Sequence, residues 1–273
     1  MNLSISEKLL YSTLRIECFD SNNLCSTGTG YLFKFKQDAK NNSYIPVLIT
    51  NKHVIKNSVI GRLTFTKSST LGKPLDNEHQ LVEFKDFENN WIMHPDENVD
   101  LCVLPMAPIF SQLKENKIDI FKIEFDMSLI PSEEELNNLT PLEEIIMIGY
   151  PNGIWDSFNN KPILRKGITA THPKFDYNGN KEFVIDAACF PGSSGSPVFL
   201  FNENGYTDKL GNTYLGSSRI YLLGTLYAGP QHTAQGQIIT VPTTQRPIAL
   251  SNIPNNLGYV IKSHRIKELE ELF

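Results

Sequence analysis

The stretch from Ala187 to Phe199 constrains the fold more than any other, because it places a tight Gly/Ser/Pro turn between two apolar runs. These runs, 183–185 and 198–201, are rich in β-branched and aromatic residues, which is typical of strands. Gly192 and Gly195 permit backbone angles that are closed to other residues, so the turn can be sharp. The pattern alone also fits a surface loop, so partners elsewhere in the chain decide between the two interpretations.

Ser194 occupies the serine position of a Gly-x-Ser-Gly motif, and the turn can point its side chain outward. A serine hydroxyl is a poor nucleophile until a base, most often a histidine held by a carboxylate, removes its proton. Of the 6 histidines, His53 is the one that ends a strongly apolar strand. Asp100 leads directly into the apolar run 101–104, where an unpaired carboxylate would be costly. His53 and Asp100 are therefore the candidate partners of Ser194.

The chain order His53, Asp100, Ser194 is that of chymotrypsin-like enzymes, whereas α/β-hydrolases and subtilisin-like enzymes use other orders. The sequence resembles the trypsin-like serine proteases, and within them the HtrA-type branch, over most of its length. The segments that carry this resemblance are 28–32, 48–55, 99–104, 146–153, 186–188, 191–197 and 258–261. Each segment is a weak signal, but together and in family order they are a strong one.

The resemblance implies an all-β fold of two six-stranded antiparallel β-barrels of the chymotrypsin/trypsin type, with a short C-terminal helix. Residues 1–135 would form the N-terminal barrel and the linker between the barrels, 136–262 the C-terminal barrel, and 263–273 the helix. Short strand-like runs separated by Asn, Gly, Ser and Lys turns agree with such an architecture. We expect a protease domain without an appended peptide-binding PDZ domain.

The resemblance also assigns roles to the site residues. Ser194 would be the nucleophile, His53 the general base and then acid, and Asp100 the orienting carboxylate. The backbone amides of Gly192 and Ser194 would form the oxyanion hole. Asp96, which lies in a turn-like segment, is the alternative to Asp100. Ser193 stands where digestive trypsins have an aspartate, so their activation by a newly cut N-terminus is not expected here.

The primary specificity pocket would be lined by Ala188, six residues before the serine, and by Tyr227, Ala228 and Gly229. Because Ala188 is not acidic, a preference for Lys or Arg is disfavoured, and small or medium apolar side chains are expected. The substrate backbone would add to the 227–229 edge strand. We expect His79, His94, His172 and His264 to be surface residues, and consider His232 a weaker candidate for lining the substrate cleft.

Composition excludes other classes of function. A net charge of −5 and the lack of a Lys/Arg-rich tract disfavour nucleic-acid binding. The chain shows neither a secretion signal nor an apolar run near the roughly 20 residues of a membrane helix. With 4 cysteines and no export signal, a reduced, cytoplasmic location is expected. No zinc-binding spacing is present, so neither a metal nor another cofactor is expected.

The sequence therefore predicts a serine endopeptidase that acts on protein or peptide substrates. Trypsin-like domains without export signals resemble the regulated cytoplasmic proteases of bacterial stress and antiphage systems, and an activating partner protein would fit that setting. The alternative is a non-catalytic peptide-binding module on the same scaffold, and an esterase is a third option.

Overall fold

The computed structural model describes residues 3–234 and 251–273, with side chains described for all of these except 231–234 and 251–254. This part of the chain consists mainly of antiparallel strands, arranged as one large sheet, one closed barrel and two small hairpins. The predicted all-β architecture with a short C-terminal helix is confirmed.

The elements are numbered in chain order. The strands are β1 (Thr13–Phe19), β2 (Cys25–Asp38), β3 (Ser43–Thr50), β4 (Ile60–Ser68), β5 (Pro74–Lys85), β6 (Ile92–Met93), β7 (Cys102–Pro105), β8 (Ile120–Phe121), β9 (Glu144–Gly149), β10 (Ile163–Thr169), β11 (Glu182–Asp186), β12 (Pro197–Asn202), β13 (Gly205–Thr207), β14 (Thr213–Leu215), β15 (Arg219–Ala228), β16 (Gln231–Ala234), β17 (Ser251–Pro254) and β18 (Leu257–Lys262). The α-helices are α1 (Ile5–Leu9), α2 (Lys52–Ile55), α3 (Ala107–Glu115), α4 (Glu133–Asn137) and α5 (Arg265–Glu270).

The N-terminal half forms an eight-stranded sheet in the order β5-β4-β1-β2-β3-β7-β6, with β8 paired to β4. Among the described residues, strand pairing leaves β5 and β6 as the two ends of this sheet, an arrangement compatible with the predicted second barrel. Thr50 at the end of β3 pairs with Cys102 at the start of β7. Since antiparallel partners run in opposite directions, the residues after β3 and before β7 lie at the same end of the sheet.

The C-terminal half is a closed six-stranded barrel in the order β10-β11-β18-β15-β12-β9, as predicted. Inside it lie apolar side chains of alternating strand positions, among them Met147, Phe183, Val198 and Leu223. The connection between β11 and β12 crosses one end of this barrel and contains the Gly-x-Ser-Gly turn. The barrel therefore supplies two well-paired strands that fix the ends of the turn.

A shared apolar cluster joins the sheet to the barrel. Phe33 of the sheet, Phe199 of the barrel and Phe125 of the connection belong to it, and the rings of Phe125 and Phe199 meet edge to face at 4.9 Å. At its margin the hydroxyls of Tyr31 and Thr225 form a buried hydrogen bond of 2.7 Å across the two halves. Burial of large aromatic side chains on both sides favours one fixed relative position of sheet and barrel.

The C-terminal helix begins later than its predicted segment, 263–273, because α5 spans Arg265–Glu270. The hydroxyl of Ser263 caps no helix, and His264 precedes the first helical residue instead. Ile266 and Leu269 are fully buried in the shared cluster, which attaches the helix to the body of the protein. The pairing of strands separates β1–β8 from the barrel, while the boundary at residue 135 stays a prediction.

The segment between β12 and β15 forms a hairpin, β13 and β14, that projects from the barrel. At its base Arg219 and Glu143 make an ion pair of 2.5 Å in which both side chains are more than nine-tenths buried. Arg219 also donates to Asn202 at 3.0 Å and stacks over the ring of Tyr206. A buried charge of this kind depends on its partner, because neither group can recover its hydration.

Removal of this arginine tests whether the pair is as buried as described. Arg219→Met leaves Glu143 without its counter-charge, so the free energy of unfolding in urea should fall by about 3–5 kcal/mol. The matched control is Lys166→Met, which breaks the exposed Lys166–Glu144 pair of 2.8 Å on the neighbouring strands. That change should cost less than about 1 kcal/mol. Equal losses for the two variants would contradict the structure.

Candidate active site

His53 lies at the end of the N-terminal sheet, in the short helix α2 that follows β3. Its Nδ1 is 2.5 Å from Oδ2 of Asp100, and its backbone N–H donates to Oδ1 of the same carboxylate at 3.0 Å. The side-chain amide of Asn51 donates to the backbone carbonyl of Asp100 at 2.7 Å. The carboxylate therefore fixes both the ring and the backbone of the histidine, and the structure brings these two predicted residues together.

The turn before Ser194 is of type II. The N–H of Ser193 donates to the carbonyl of Phe190 at 3.0 Å, and Gly192, the third residue of the turn, has φ +86°. This turn type requires a positive φ at its third position and favours proline at its second, which is why the Pro191-Gly192 pair folds this way. A Cβ on Gly192 would also lie 2.5 Å from the carbonyl oxygen of Tyr150, so no other residue fits.

The backbone amides of Gly192 and Ser194 donate to no residue within the described part of the chain. The carbonyl of Pro191 accepts a hydrogen bond of 2.5 Å from the N–H of Asn152. In a trans peptide the N–H points opposite to the C=O, so the Gly192 amide faces away from Asn152. Two free amides close together in one turn are the donors that an oxyanion hole requires.

The Ser194 turn packs against the same end of the sheet that carries His53. The carbonyl of Ser194 accepts from the N–H of Thr29 at 2.9 Å. A Cβ on Gly195 would lie 2.4 Å from the hydroxyl of Thr50, three residues before His53. The Ser194 hydroxyl itself donates to the carbonyl of Tyr227 at 3.3 Å, and among the described residues it makes no hydrogen bond to His53. Catalytic hydrogen bonds are often long in unliganded enzymes and tighten when substrate binds.

A cavity of about 140 Å³ opens beside Ser194. Its lining contains no charged side chain among the described residues and includes Cys189, Phe190, Leu226, Ala228 and Gly229. A larger cavity of about 330 Å³ lies under the β13–β14 hairpin and contains none of the predicted site residues.

Of the four predicted pocket residues, Ala228 and Gly229 line the cavity, whereas Ala188 and Tyr227 do not. The chain is extended before the turn, so Ala187 and Cys189 face the buried side and Ala188 faces the opposite side. Cys189 therefore stands where Ala188 was expected. Tyr227 contributes its backbone carbonyl to Ser194 instead of a pocket wall, and its hydroxyl donates to Glu182 at 2.9 Å.

His79, His94, His172 and His264 lie outside this site, but His94 is not the surface residue that was expected. His94 is 2% exposed. Its backbone N–H donates to the carbonyl of Leu101, and Nε2 of its ring lies 3.4 Å from Oε2 of Glu268 in α5. Burial lowers its pKa. The Asp96 carboxylate pairs with Arg265 at 2.6 Å, so the alternative to Asp100 is engaged elsewhere. The side chain of His232 lies outside the described residues.

The four cysteines are free thiols, and three of them, Cys18, Cys102 and Cys189, are buried. Burial raises the pKa of Cys18 and of Cys189 to about 12 and that of Cys102 well above its ordinary value. The described residues hold no group of three or more His, Cys, Asp or Glu side chains arranged to bind a metal ion. Within the same residues, no helix is both long enough and apolar enough to cross a membrane.

Comparison with known proteins identifies the family of this chain. A family model described as a trypsin-like peptidase domain matches residues 28–206. The chain therefore belongs to the trypsin-like peptidase family, whose members are serine protease hydrolases. The search of curated proteins found no match.

Two solved structures are similar to this chain. The HtrA-type protease AlgW, solved with a tripeptide, is similar over 97% of this chain at 15% identity with a TM-score of 0.51. A serine endoprotease from Yersinia pestis matches over 100% of this chain and 67% of its own at 15% identity, with a TM-score of 0.47. The present chain covers 60% of the AlgW chain.

The buried thiol of the cavity gives a direct test of how closed this site is. Because the thiolate is the reactive form, Cys189 should resist an aromatic disulfide reagent at pH 8 while the exposed Cys25 reacts. Mass mapping should find label on Cys25 in the native chain and on all four cysteines after unfolding. Cys25→Ser is the control, and it should remove the rapid native reaction. Labelling of Cys189 as fast as Cys25 would contradict the burial of the Cys189 thiol.

Proposed function

We propose that this protein is a serine endopeptidase that cleaves peptide bonds through an acyl-enzyme intermediate. Ser194 is the nucleophile, His53 the general base and Asp100 the residue that orients it. One observation carries the proposal: the His53–Asp100 pair lies at the sheet end against which the Ser194 turn packs, and this turn presents two free amides.

The reaction follows from this arrangement. Oγ of Ser194 attacks the carbonyl carbon of the substrate, and its proton passes to Nε2 of His53. The two electrons of the carbonyl π bond move to oxygen, whose negative charge the amides of Gly192 and Ser194 stabilise. Asp100 stabilises the imidazolium through Nδ1. His53 then protonates the leaving amine, the C–N bond breaks, and water attacks the remaining ester by the same steps.

The cavity beside Ser194 supports a preference for a small or medium apolar side chain before the cleaved bond. Its volume of about 140 Å³ limits the size of that side chain. Among the described residues its lining has no charged side chain, so a basic side chain would find no counter-charge there. The substrate backbone would add along residues 227–229, which gives affinity with little sequence readout. The tripeptide in the AlgW structure is consistent with peptide substrates for this family.

The four free thiols are consistent with a reducing compartment, because disulfides form and persist mainly in oxidising environments. A regulated cytoplasmic protease of bacterial stress or antiphage defence, switched on by a partner protein, remains our proposal from the sequence resemblance.

The second candidate is a peptide-binding module without catalysis. The one feature that favours it is the Ser194 hydroxyl, which donates to the Tyr227 carbonyl and not to His53. Catalysis by the first candidate requires this hydroxyl to turn toward Nε2 of His53, and side-chain rotations are fast.

A fluorophosphonate probe tests the proposed function without knowledge of the substrate. Its phosphorus is attacked by an activated serine oxygen, fluoride leaves, and the serine proton is taken up by the base. The wild-type chain should be labelled on Ser194 and Ser194→Ala should not. Ser196→Ala is the matched control, because Ser196 is a buried neighbour whose hydroxyl has no hydrogen-bond partner, and it should be labelled normally. A wild-type chain that stays unlabelled would favour the binding module.

Asp100→Asn tests the role of the carboxylate separately. The amide leaves the shape of the site intact but removes the charge that holds and stabilises the protonated ring of His53. Cleavage of a fluorogenic peptide amide, chosen by cleavage-site profiling, should slow by on the order of 10⁴-fold in kcat. Asp96→Asn is the control and should retain activity. A loss in Asp96→Asn that matches that of Asp100→Asn would reassign the acid.

A further inference from the structure

Thr29 is the residue through which the N-terminal sheet contacts the oxyanion turn. It belongs to β2, in the Gly28-Thr29-Gly30 segment, and is fully buried. Its backbone N–H donates to the carbonyl of Ser194 at 2.9 Å, and its hydroxyl donates to the carbonyl of Gly192 at 2.9 Å. One side chain and its own backbone thus bind both residues whose amides face the expected oxyanion.

The hydroxyl of Thr29 is both a hydrogen-bond donor and an acceptor. Besides donating to Gly192, it accepts a hydrogen bond of 3.2 Å from the N–H of Tyr150. Tyr150 begins the turn whose Asn152 N–H holds the carbonyl of Pro191. A hydroxyl has one hydrogen to donate and can accept at its lone pairs, so threonine or serine can make both contacts and valine can make neither.

These contacts fix the peptide planes on both sides of Gly192. The plane before it is held by Asn152 through the Pro191 carbonyl, and the plane after it is held by Thr29 through the Gly192 carbonyl. A glycine has more rotational freedom than any other residue, so its position in a turn must be imposed from outside. The Gly192 N–H lies in the first plane. With the second plane also held, φ and ψ of Gly192 are fixed, and with them the course of the chain to the Ser194 amide.

Gly195 is required by the close approach of Thr29. A Cβ on Gly195 would lie 1.9 Å from the Thr29 carbonyl oxygen. The second glycine of the Gly-x-Ser-Gly motif is therefore needed for the Thr29 contact as well as for its own φ of +85°. The Thr29 carbonyl is in turn held by the hydroxyl of Thr50 at 2.6 Å.

We propose that Thr29 is a positioning residue for the oxyanion hole: its hydroxyl holds the Gly192 carbonyl so that the Gly192 and Ser194 amides point at one spot. The inference rests on the proposed function. It adds a residue of the N-terminal sheet, outside the catalytic triad, that acts on the transition state through the backbone of the other half of the protein.

Three substitutions at this position and one elsewhere test the proposal. Thr29→Val keeps the shape and removes both hydrogen bonds, Thr29→Ser keeps both, and Thr29→Cys keeps them in weakened form. The matched control is Thr169→Val. Thr169 is also fully buried, and its hydroxyl likewise donates to a carbonyl, that of Pro141 at 2.6 Å, and accepts from an N–H, that of Glu143 at 2.8 Å. It contacts none of the site residues.

Two rates and a melting temperature are measured for each variant. The rates are second-order labelling by the fluorophosphonate probe and hydrolysis of the fluorogenic peptide amide. Thr29→Val should lower the labelling rate and kcat by on the order of 10- to 100-fold, somewhat less than the loss of an oxyanion-hole donor, with KM changed less than about 3-fold. Thr29→Ser should stay within about 3-fold of the wild type, with Thr29→Cys between serine and valine.

The control separates positioning from stability. Thr169→Val should lower the melting temperature about as much as Thr29→Val, since each leaves two buried backbone groups unpaired, yet it should keep the wild-type rates. Equal rates for Thr29→Val and the wild type, an effect on KM alone, or an equal rate loss in Thr169→Val would overturn the proposal. If Thr29→Val does not fold, equal rates for Thr29→Ser and Thr29→Cys would overturn the proposal. A wild-type chain that neither reacts with the probe nor cleaves peptides overturns the proposed function and this inference together.

Discussion

The fixed contact between the sheet and the barrel is the constraint on which the site depends. Neither half contains all of the candidate residues, because His53 and Asp100 lie at one end of the sheet and Ser194 lies in a connection of the barrel. The apolar cluster around Phe125 and Phe199 holds the halves in one relative position. Hydrogen bonds from Thr29 to the Gly192 and Ser194 carbonyls then hold the Ser194 turn against the sheet.

Each half supplies a different part of the candidate site. The sheet supplies a carboxylate that binds the histidine through both its ring and its backbone, which favours a single ring orientation. The barrel supplies a sharp turn in which the amides of Gly192 and Ser194 have no partner among the described residues, and unpaired amides are costly unless a ligand or solvent satisfies them. Such a site is organised before substrate arrives, which is how electrostatic stabilisation of a transition state is achieved at little reorganisation cost.

The sequence was sufficient for the features that depend on short stretches of chain. The Gly/Ser/Pro turn between apolar runs predicted a sharp turn between two strands, and β11 and β12 lie there. The apolar run before His53 and the one after Asp100 predicted strands, and the pairing of β3 with β7 brings the two side chains into contact. The order of the three residues and the accompanying motifs pointed to the trypsin-like family that the comparison shows.

Features that depend on contacts distant in sequence were missed. Counting back from the serine selected Ala188, but the extended chain before the turn puts Cys189 in the cavity. His94 lies in a polar segment and was expected at the surface, whereas α5, far along the chain, covers it. Thr29 was visible in a family-like motif, yet its partners became apparent only in three dimensions.

The most direct test of the central claim is a crystal structure of the chain after reaction with the fluorophosphonate probe. The account predicts a phosphorus–oxygen bond to Oγ of Ser194, with the phosphoryl oxygen about 2.7–3.1 Å from the amide nitrogens of both Gly192 and Ser194. It also predicts that His53, still paired with Asp100, faces the modified serine. An adduct on another residue, or a phosphoryl oxygen directed away from both amides, would contradict it.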